Sequence, residues 1–308
     1  MEHLRPVFVL LVVGVFMESQ QRDLFPVTEA VLDLAPRAFG PSYPSCLSSA
    51  IWLLLSLEPR EAVLDLAPRA FPQAASYWKE RKDTSNVPQN FKPEYAMAVL
   101  AYSSQGPLHM QPLHQEFNAA VREAGRTRDS YLSHFNFKTL HFLLTRALHV
   151  LKAAEPARCH QVYRGVRGIR FKAEIRKPVR FGHFTSTSLK NDSALRFGQD
   201  TFFSIKTCFG ANIKNFSFFP DEDEVLIPPF EKFKVTNFTQ AQGRTMIQLQ
   251  SLESSSNHNC EYVKEKRCKT RRCVFNSGMS SFSSGPQHLY LLGGVLLMAS
   301  ALGAPGFL

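Results

Sequence analysis

Acidic residues are scarce in this chain: 26 Asp and Glu against 36 Lys and Arg leave a formal net charge of +10. Glycine-rich phosphate loops are absent, since neither G-x-G-x-x-G nor a Walker sequence occurs, so a dinucleotide would not be held by a Rossmann turn. There is no G-x-S-x-G elbow and no H-E-x-x-H helix, which removes two common hydrolase signatures. Cysteine is confined to Cys46, Cys159, Cys208, Cys260, Cys268 and Cys273, with no C-x-x-C pair and no His pair at ligand spacing near them. That pattern argues against zinc. No apolar run reaches bilayer length before Leu289–Leu308.

What is present has the composition of a globular protein, 44% hydrophobic, enough for one sizeable domain or two packed lobes. The two ends read as addresses. Residues 1–20 carry Arg5 and a short apolar run, Val7 to Phe16, the pattern of a secretory signal. Residues 276–308 combine a small-residue spacer with an uncharged apolar tail broken by Gly293-Gly294, Gly303 and Pro305, the pattern of a glycosylphosphatidylinositol (GPI) anchor signal rather than a transmembrane helix. The expected mature protein is extracellular and tethered to the plasma membrane. Six cysteines then imply three disulfides, with fifteen possible pairings. Asn191, Asn215 and Asn237 open glycosylation sequons. The basic balance does not indicate nucleic acid, because Lys and Arg are scattered except for Lys264 to Arg267 and Lys269 to Arg272 near the end of the chain.

Along the chain, Glu29 to Phe39 and Glu61 to Phe71 repeat one string, EAVLDLAPRAF. Two copies do not build a solenoid, so residues 21–76 read as a segment apart from a catalytic domain over 77–275. Leu113, Phe117, Ala120 and Val121 recur at helical spacing and Gly125 closes that helix; Phe137 to Leu151 predict a second amphipathic helix ending before Pro156. His141 and His149 on it read as packed or surface residues. After Cys159 the period becomes two, and strands are predicted at Gln161 to Val166, Val179 to Ser188, Thr201 to Phe209, Glu224 to Ile227, Lys232 to Phe238 and Thr245 to Leu252. Helices first and strands afterwards indicate an α+β fold rather than a parallel βαβ sheet.

Against the shortage of acids, the consecutive run Asp221-Glu222-Asp223-Glu224 before Val225-Leu226-Ile227 stands out. In an extended segment Glu222 and Glu224 point the same way, and two desolvated carboxylates beside apolar surface need a cation or a reacting centre. In the first strand, Val162, Arg164 and Val166 share a face, so a guanidinium is aimed among apolar neighbours, where a carboxylate or phosphate would satisfy it. Gly165 permits close approach to the backbone. Phe184-Thr185-Ser186-Thr187-Ser188 is a run of hydroxyls, and no histidine is spaced to activate Ser186 as a nucleophile, so it reads as a hydrogen-bonding positioner.

Arg164 in VYRGV, Ser186 in FTSTS and Glu222-x-Glu224 before VLIPP resemble, in order and spacing, the R-S-E-x-E set of the arginine-specific ecto-ADP-ribosyltransferases. Glu116 to Arg122, Phe137 to Phe142, the segment around Cys208 to Ala211 and Cys260-Glu261-Tyr262 are similar to that family as well. The resemblance implies an N-terminal helical lobe packed on a C-terminal two-sheet β core with a central NAD cleft. NAD would be the substrate, arginine on proteins the acceptor, and no metal would take part; the protein would be a monomer. It implies that Arg164 holds the phosphate and ribose region of NAD, Ser186 positions the ribose and the catalytic acid, Glu224 is essential and Glu222 confers arginine preference. Tyr102, the Gly165 backbone and Ser217 would complete the NAD site. It also implies disulfides Cys46–Cys260, Cys159–Cys208 and Cys268–Cys273. Two other readings stay open on the residues alone: an NAD glycohydrolase, in which water replaces the acceptor, and an inert surface module that retains the fold.

Overall fold

Helical periodicity and strand alternation occupy separate parts of the chain, and the fold keeps them apart. The computed structural model describes residues 27–33, 70–80, 87–105 and 112–256. The signal-like start, most of the repeated string, the apolar tail and the expected Cys46–Cys260 and Cys268–Cys273 bridges lie outside the described residues.

Among the described residues, four α-helices make up the helical part, α1 (Ala70–Glu80), α2 (Pro93–Ser103), α3 (Leu113–Ala124) and α4 (Lys138–Ala154), with a π-helical turn at Ser130–His134 before α4. Helix α1 runs across residue 77, where the catalytic domain was expected to begin. Pro93 opens α2, a position where its missing N–H costs nothing. Tyr95, Ala96, Ala98, Val99, Leu100, Ala101 and Tyr102 are all buried, so α2 is enclosed on nearly every side and shows no amphipathic stripe. This explains why periodicity did not reveal it. Helices α3 and α4 do show one, burying Phe117 and Val121 on α3 and Leu140, Leu144, Ala147, Leu148 and Leu151 on α4. His141 is packed in this core, edge-on to Phe135 and Phe184.

Strands β2 (His160–Val166), β4 (Pro178–Val179), β5 (Thr185–Ser188), β6 (Thr201–Thr207), β7 (Ala211–Asn212), β8 (Glu224–Ile227), β9 (Glu231–Ala241) and β10 (Arg244–Ser254) form one sheet in the order β4-β9-β10-β6-β2-β5-β8-β7. Only β10 and β6 run parallel; the other pairs are antiparallel. A single register pair, Tyr163 with Ser188, joins β2 to β5. The expected two-sheet core is therefore one hydrogen-bonded sheet in two halves, of five and three strands, parted along the β2/β5 line. The expected strand Val179 to Ser188 is two strands. Gly182 takes φ 73, a left-handed value, and the chain turns there, so β4 pairs with β9 at one edge and β5 with β8 far across the sheet.

Two short parallel strands, β1 (Thr28–Val31) and β3 (Ile169–Lys172), form a separate ribbon with an ion pair between Glu29 and Lys172. The opening of the first string copy is thus a strand, while Phe71, closing the second, is buried in α1. Helix α5 (Asn191–Arg196) follows β5. The expected Cys159–Cys208 disulfide is present and ties the start of β2 to the end of β6.

Two cores result. One joins the helices to the three-stranded half through Phe184, Ala211, Ile213, Phe216 and Leu226. The other lies on the opposite side of the sheet and includes Val162, Phe203, Ile205, Val225, Ile227, Phe233 and Ile247. Burying an aromatic such as Phe184 contributes about 1.5–3 kcal/mol. Phe184 stacks on Phe117 at 5.5 Å, which fixes the beginning of β5 against α3.

Candidate active site

The parting of the sheet opens a cleft of about 250 Å³, with Tyr102, Asn118, Arg164, Ser186, Glu222 and Glu224 among its lining residues. Arg164 stands on β2 and Ser186 on β5, on the two sides of the gap. Arg164 Nη1 donates to the Ser186 carbonyl at 2.6 Å, so the guanidinium crosses the split where the ladder fails. Burial lowers the Arg164 pKa, opposed by the charges of Tyr102 and Glu224. The guanidinium remains charged and has donors left for an anion.

Alternation along β8 explains Glu224. All four residues of the strand are buried; Leu226 faces the helices while Val225 and Ile227 enter the other core. Glu224 therefore shares the side of Leu226, and Ser186 and Ser188, opposite Leu226 and Glu224 in register, share it as well. Only 6% of Glu224 is exposed. Burial pushes its pKa up to about 7, aided by the charge of Glu222 and opposed by Arg164 and by hydrogen bonds from Ser186 and Ser217.

Glu222 reaches the cleft by a different route from the one expected. The segment is not extended: Pro220–Glu222 form a 3-10 turn and Asp223 is left-handed, with φ 44 and ψ 52. A reversal, rather than strand alternation, brings Glu222 to the same cleft as Glu224. Burial raises the Glu222 pKa, and attraction to Arg196 opposes the rise.

Tyr102 Oη donates to the Phe184 carbonyl at 3.0 Å, so α2 braces β5. Burial pushes its pKa up to about 12, which keeps the phenol neutral. Asn118, unassigned from the sequence, donates to Tyr102 Oη at 3.1 Å and grips the backbone of Phe184. The available signal was an amide directly after Phe117, at the edge of the apolar face of α3. His183 also lines the cleft. Its Nδ1 lies 2.8 Å from the Phe181 carbonyl and accepts from Arg122 Nε at 3.2 Å, while Nε2 lies 3.2 Å from Arg122 Nη2. Burial, with the charges of Arg122 and Arg164, lowers the His183 pKa to about 3, so the imidazole is neutral and a weak base.

Two expected site residues are packed against the protein's own groups. Ser217 is 3% exposed; it hydrogen-bonds Glu224 and accepts from Phe219 N at 3.1 Å, so it supports the carboxylate rather than facing a ligand. Gly165 lines the cleft, yet a Cβ on it would lie 2.3 Å from the carbonyl oxygens of both Ala194 and Gly198. The close approach at this glycine is by the protein's own chain.

A split sheet carrying Arg164, Ser186 and Glu222-x-Glu224 around one cleft defines an ADP-ribosyltransferase fold. The sequence profile of the NAD:arginine ADP-ribosyltransferase family matches residues 32–257, and the chain belongs to that family. It is 47% identical over 256 residues to the erythroblast NAD(P)(+)–arginine ADP-ribosyltransferase of Gallus gallus, covering 83% of this chain and 84% of that protein. It is 44% identical to the GPI-linked NAD(P)(+)–arginine ADP-ribosyltransferase 1 of Homo sapiens, over 97% of this chain and 98% of that one. The crystal structure of the eucaryotic mono-ADP-ribosyltransferase ART2.2 superposes with a TM-score of 0.61 at 35% identity, covering 76% of this chain and 99% of that one. A mutant of that protein has been crystallised in complex with NADH.

Proposed function

We infer that Glu224 and Glu222 divide the work of arginine ADP-ribosyl transfer between them. The observation that carries this reading is the burial of Glu224 in one cleft with Arg164 and Glu222. NAD is the substrate. Arg164 suits its anionic part, and neutral Tyr102 with Ser186 bounds the site without competing charge. When the bond between nicotinamide and ribose breaks, nicotinamide leaves with the electron pair and positive charge builds on the ribose carbon. A carboxylate in a desolvated cleft stabilises that charge far better than water does, and Glu224 is the buried one. The acceptor guanidinium is cationic and must be drawn in and lose a proton as its nitrogen bonds to carbon. Glu222, nearer the rim, is the carboxylate available to receive that proton.

Incubation with labelled NAD and a small guanidine, following adduct and free ADP-ribose together, tests the assignment. Glu224→Gln should lose both products, while Glu222→Gln should lose the adduct and keep hydrolysis. Full adduct formation by the Glu224 variant overturns it.

The acceptors on this reading are arginines of proteins. On the same reading, residues 1–20 serve as a secretory signal, the catalytic domain takes in the whole of α1 rather than beginning at residue 77, and 276–308 serve as spacer and anchor signal, which would put the enzyme outside the plasma membrane. The GPI-linked names of the mouse, human and rabbit relatives support this; the chicken relatives are not so named. The relatives' names also give NAD(P)(+) as donor, so NADP is expected to serve.

A further inference from the structure

The residue between the two glutamates, Asp223, is held from both sides, and its side chain is only 14% exposed. Asp223 receives Lys190 Nζ on Oδ2 and Lys214 Nζ on Oδ1, each at 2.5 Å. Lys190 follows β5 and Lys214 follows β7, so the carboxylate ties two segments that flank the turn from opposite sides. The backbone repeats the arrangement. Ser188 Oγ donates to the Glu222 carbonyl at 2.6 Å, Leu189 N to that of Asp223 at 3.1 Å and Ile213 N to that of Glu224 at 2.9 Å. Three successive carbonyls are thus gripped by the residues just before the two lysines. The left-handed backbone at Asp223 reverses the chain between a glutamate at the rim and one in the interior. A turn of this kind holds its direction only when its surroundings over-determine it.

We propose that Asp223, clamped by Lys190 and Lys214, is a positioning residue that locks the turn so that Glu222 is aimed at the acceptor arginine. This rests on the role given to Glu222 above. The clamp leaves Glu224 nearly untouched, because that residue is already fixed by β8 and by its pairing with β5. Its loss should therefore act on the acceptor step more than on nicotinamide release. A second consequence separates geometry from charge. Asp223→Asn frees two lysines and adds positive charge near the rim, whereas Lys190→Gln with Lys214→Gln adds negative charge. If the clamp worked only through its field, the two variants would move acceptor affinity in opposite directions. If it positions, both weaken it.

The test measures KM for a small guanidine, kcat for NAD hydrolysis without acceptor, and Tm, for Asp223→Asn and for the double lysine variant. Asn tolerates the left-handed conformation, and the two lysines are 56% and 45% exposed, so both variants should fold. Lys232→Gln, which breaks an ion pair with Glu253 between β9 and β10, is the charge-loss control. Both clamp variants are expected to raise acceptor KM about tenfold and to lower the ratio of transfer to hydrolysis by a similar factor, with the control unchanged. Opposite shifts in KM, or an unchanged ratio with a lowered Tm, overturn the proposal. Glu222→Gln run in parallel tells the two readings apart. If it transfers as well as wild type, the role of Glu222 and the clamp inference both fall; if it loses transfer while the clamp variants keep the ratio, only the clamp inference falls.

Discussion

Asn118 holds both polar groups of the Phe184 backbone: its Nδ2 donates to the carbonyl at 3.0 Å and its Oδ1 accepts from the N–H at 3.2 Å. Phe184 lies one residue before β5, where no strand partner is available for these groups. The side-chain amide replaces the missing ladder and fixes the height at which Ser186, two residues on, stands in the cleft.

Asn118→Ala should therefore cost about 1–3 kcal/mol, the penalty for leaving a part-buried amide and carbonyl without a full set of partners. Because Ser186 moves with β5, kcat/KM for NAD cleavage should fall by more than the loss of folded protein explains. Denaturant unfolding beside kinetics at matched folded concentration checks both. Unchanged kinetics would show that Tyr102 and the Phe117 stack suffice to hold the strand.

Much of this was legible in the sequence, and the gaps have particular causes. Arg164, Glu222 and Glu224 stood out because acid crowding in a basic chain and a guanidinium in an apolar strand are costly unless used, whereas the place of Ser186 in the site came from resemblance to the R-S-E-x-E set. The meeting of all four in one cleft is their observed arrangement. Helices α3 and α4 showed an amphipathic stripe; α2, buried all round, did not. Strands β3 and β7 span four and two residues, too short for alternation to register. The route of Glu222 was misread because a left-handed aspartate reproduces the facing that an extended strand would have given. Asn118 escaped notice because its partners are backbone atoms distant in sequence, which no local pattern encodes.

The pH dependence of nicotinamide release follows from Glu224. With its pKa near 7, set first by burial, the carboxylate is mostly protonated in mildly acidic solution and cannot stabilise positive charge. For hydrolysis without acceptor, kcat/KM should fall about tenfold per pH unit below about 7 and level off above it. Glu222 raises that pKa by repulsion, so Glu222→Gln should move the midpoint toward acid. A midpoint near 4.5 in the wild type would place Glu224 in a wet environment and contradict its burial.

The same burial has a cost to the fold. The Glu224 pKa stands at about 7 against 4.5 for an exposed glutamate, so folding favours the protonated form. Stability from this residue is greatest below about pH 4.5, declines as pH rises through 7, and is lower by about 3 kcal/mol above that. Glu224→Gln removes the ionisation while keeping the shape and the bonds to Ser186 and Ser217. It should be more stable than wild type at pH 8, with the gap closing toward pH 4.5, although it is inactive. Thermal melts at the two pH values check this, and equal Tm at pH 8 would show that the carboxylate is not desolvated in solution.

Gly165 separates two explanations that the sequence could not. If this glycine served only to let a ligand approach, Gly165→Ala would fold normally and bind NAD poorly. The structure gives a different account. The missing Cβ points at the carbonyls of Ala194 and Gly198, each 2.3 Å away, and a Cβ on Gly198 would in turn meet Arg167 N at 2.3 Å. The two glycines let β2 and the loop after α5 touch backbone to backbone, and neither obstacle is a flexible side-chain tip that could swing aside. Overpacking of this kind costs about 1–3 kcal/mol, more where backbone must move. Gly165→Ala and Gly198→Ala should thus both lower Tm in the absence of NAD. They should also raise KM for NAD, because Arg164 and Phe197, the neighbours of these glycines, both line the cleft. A Gly165→Ala protein with wild-type Tm and weakened NAD binding would return the glycine to the ligand and remove the packing account.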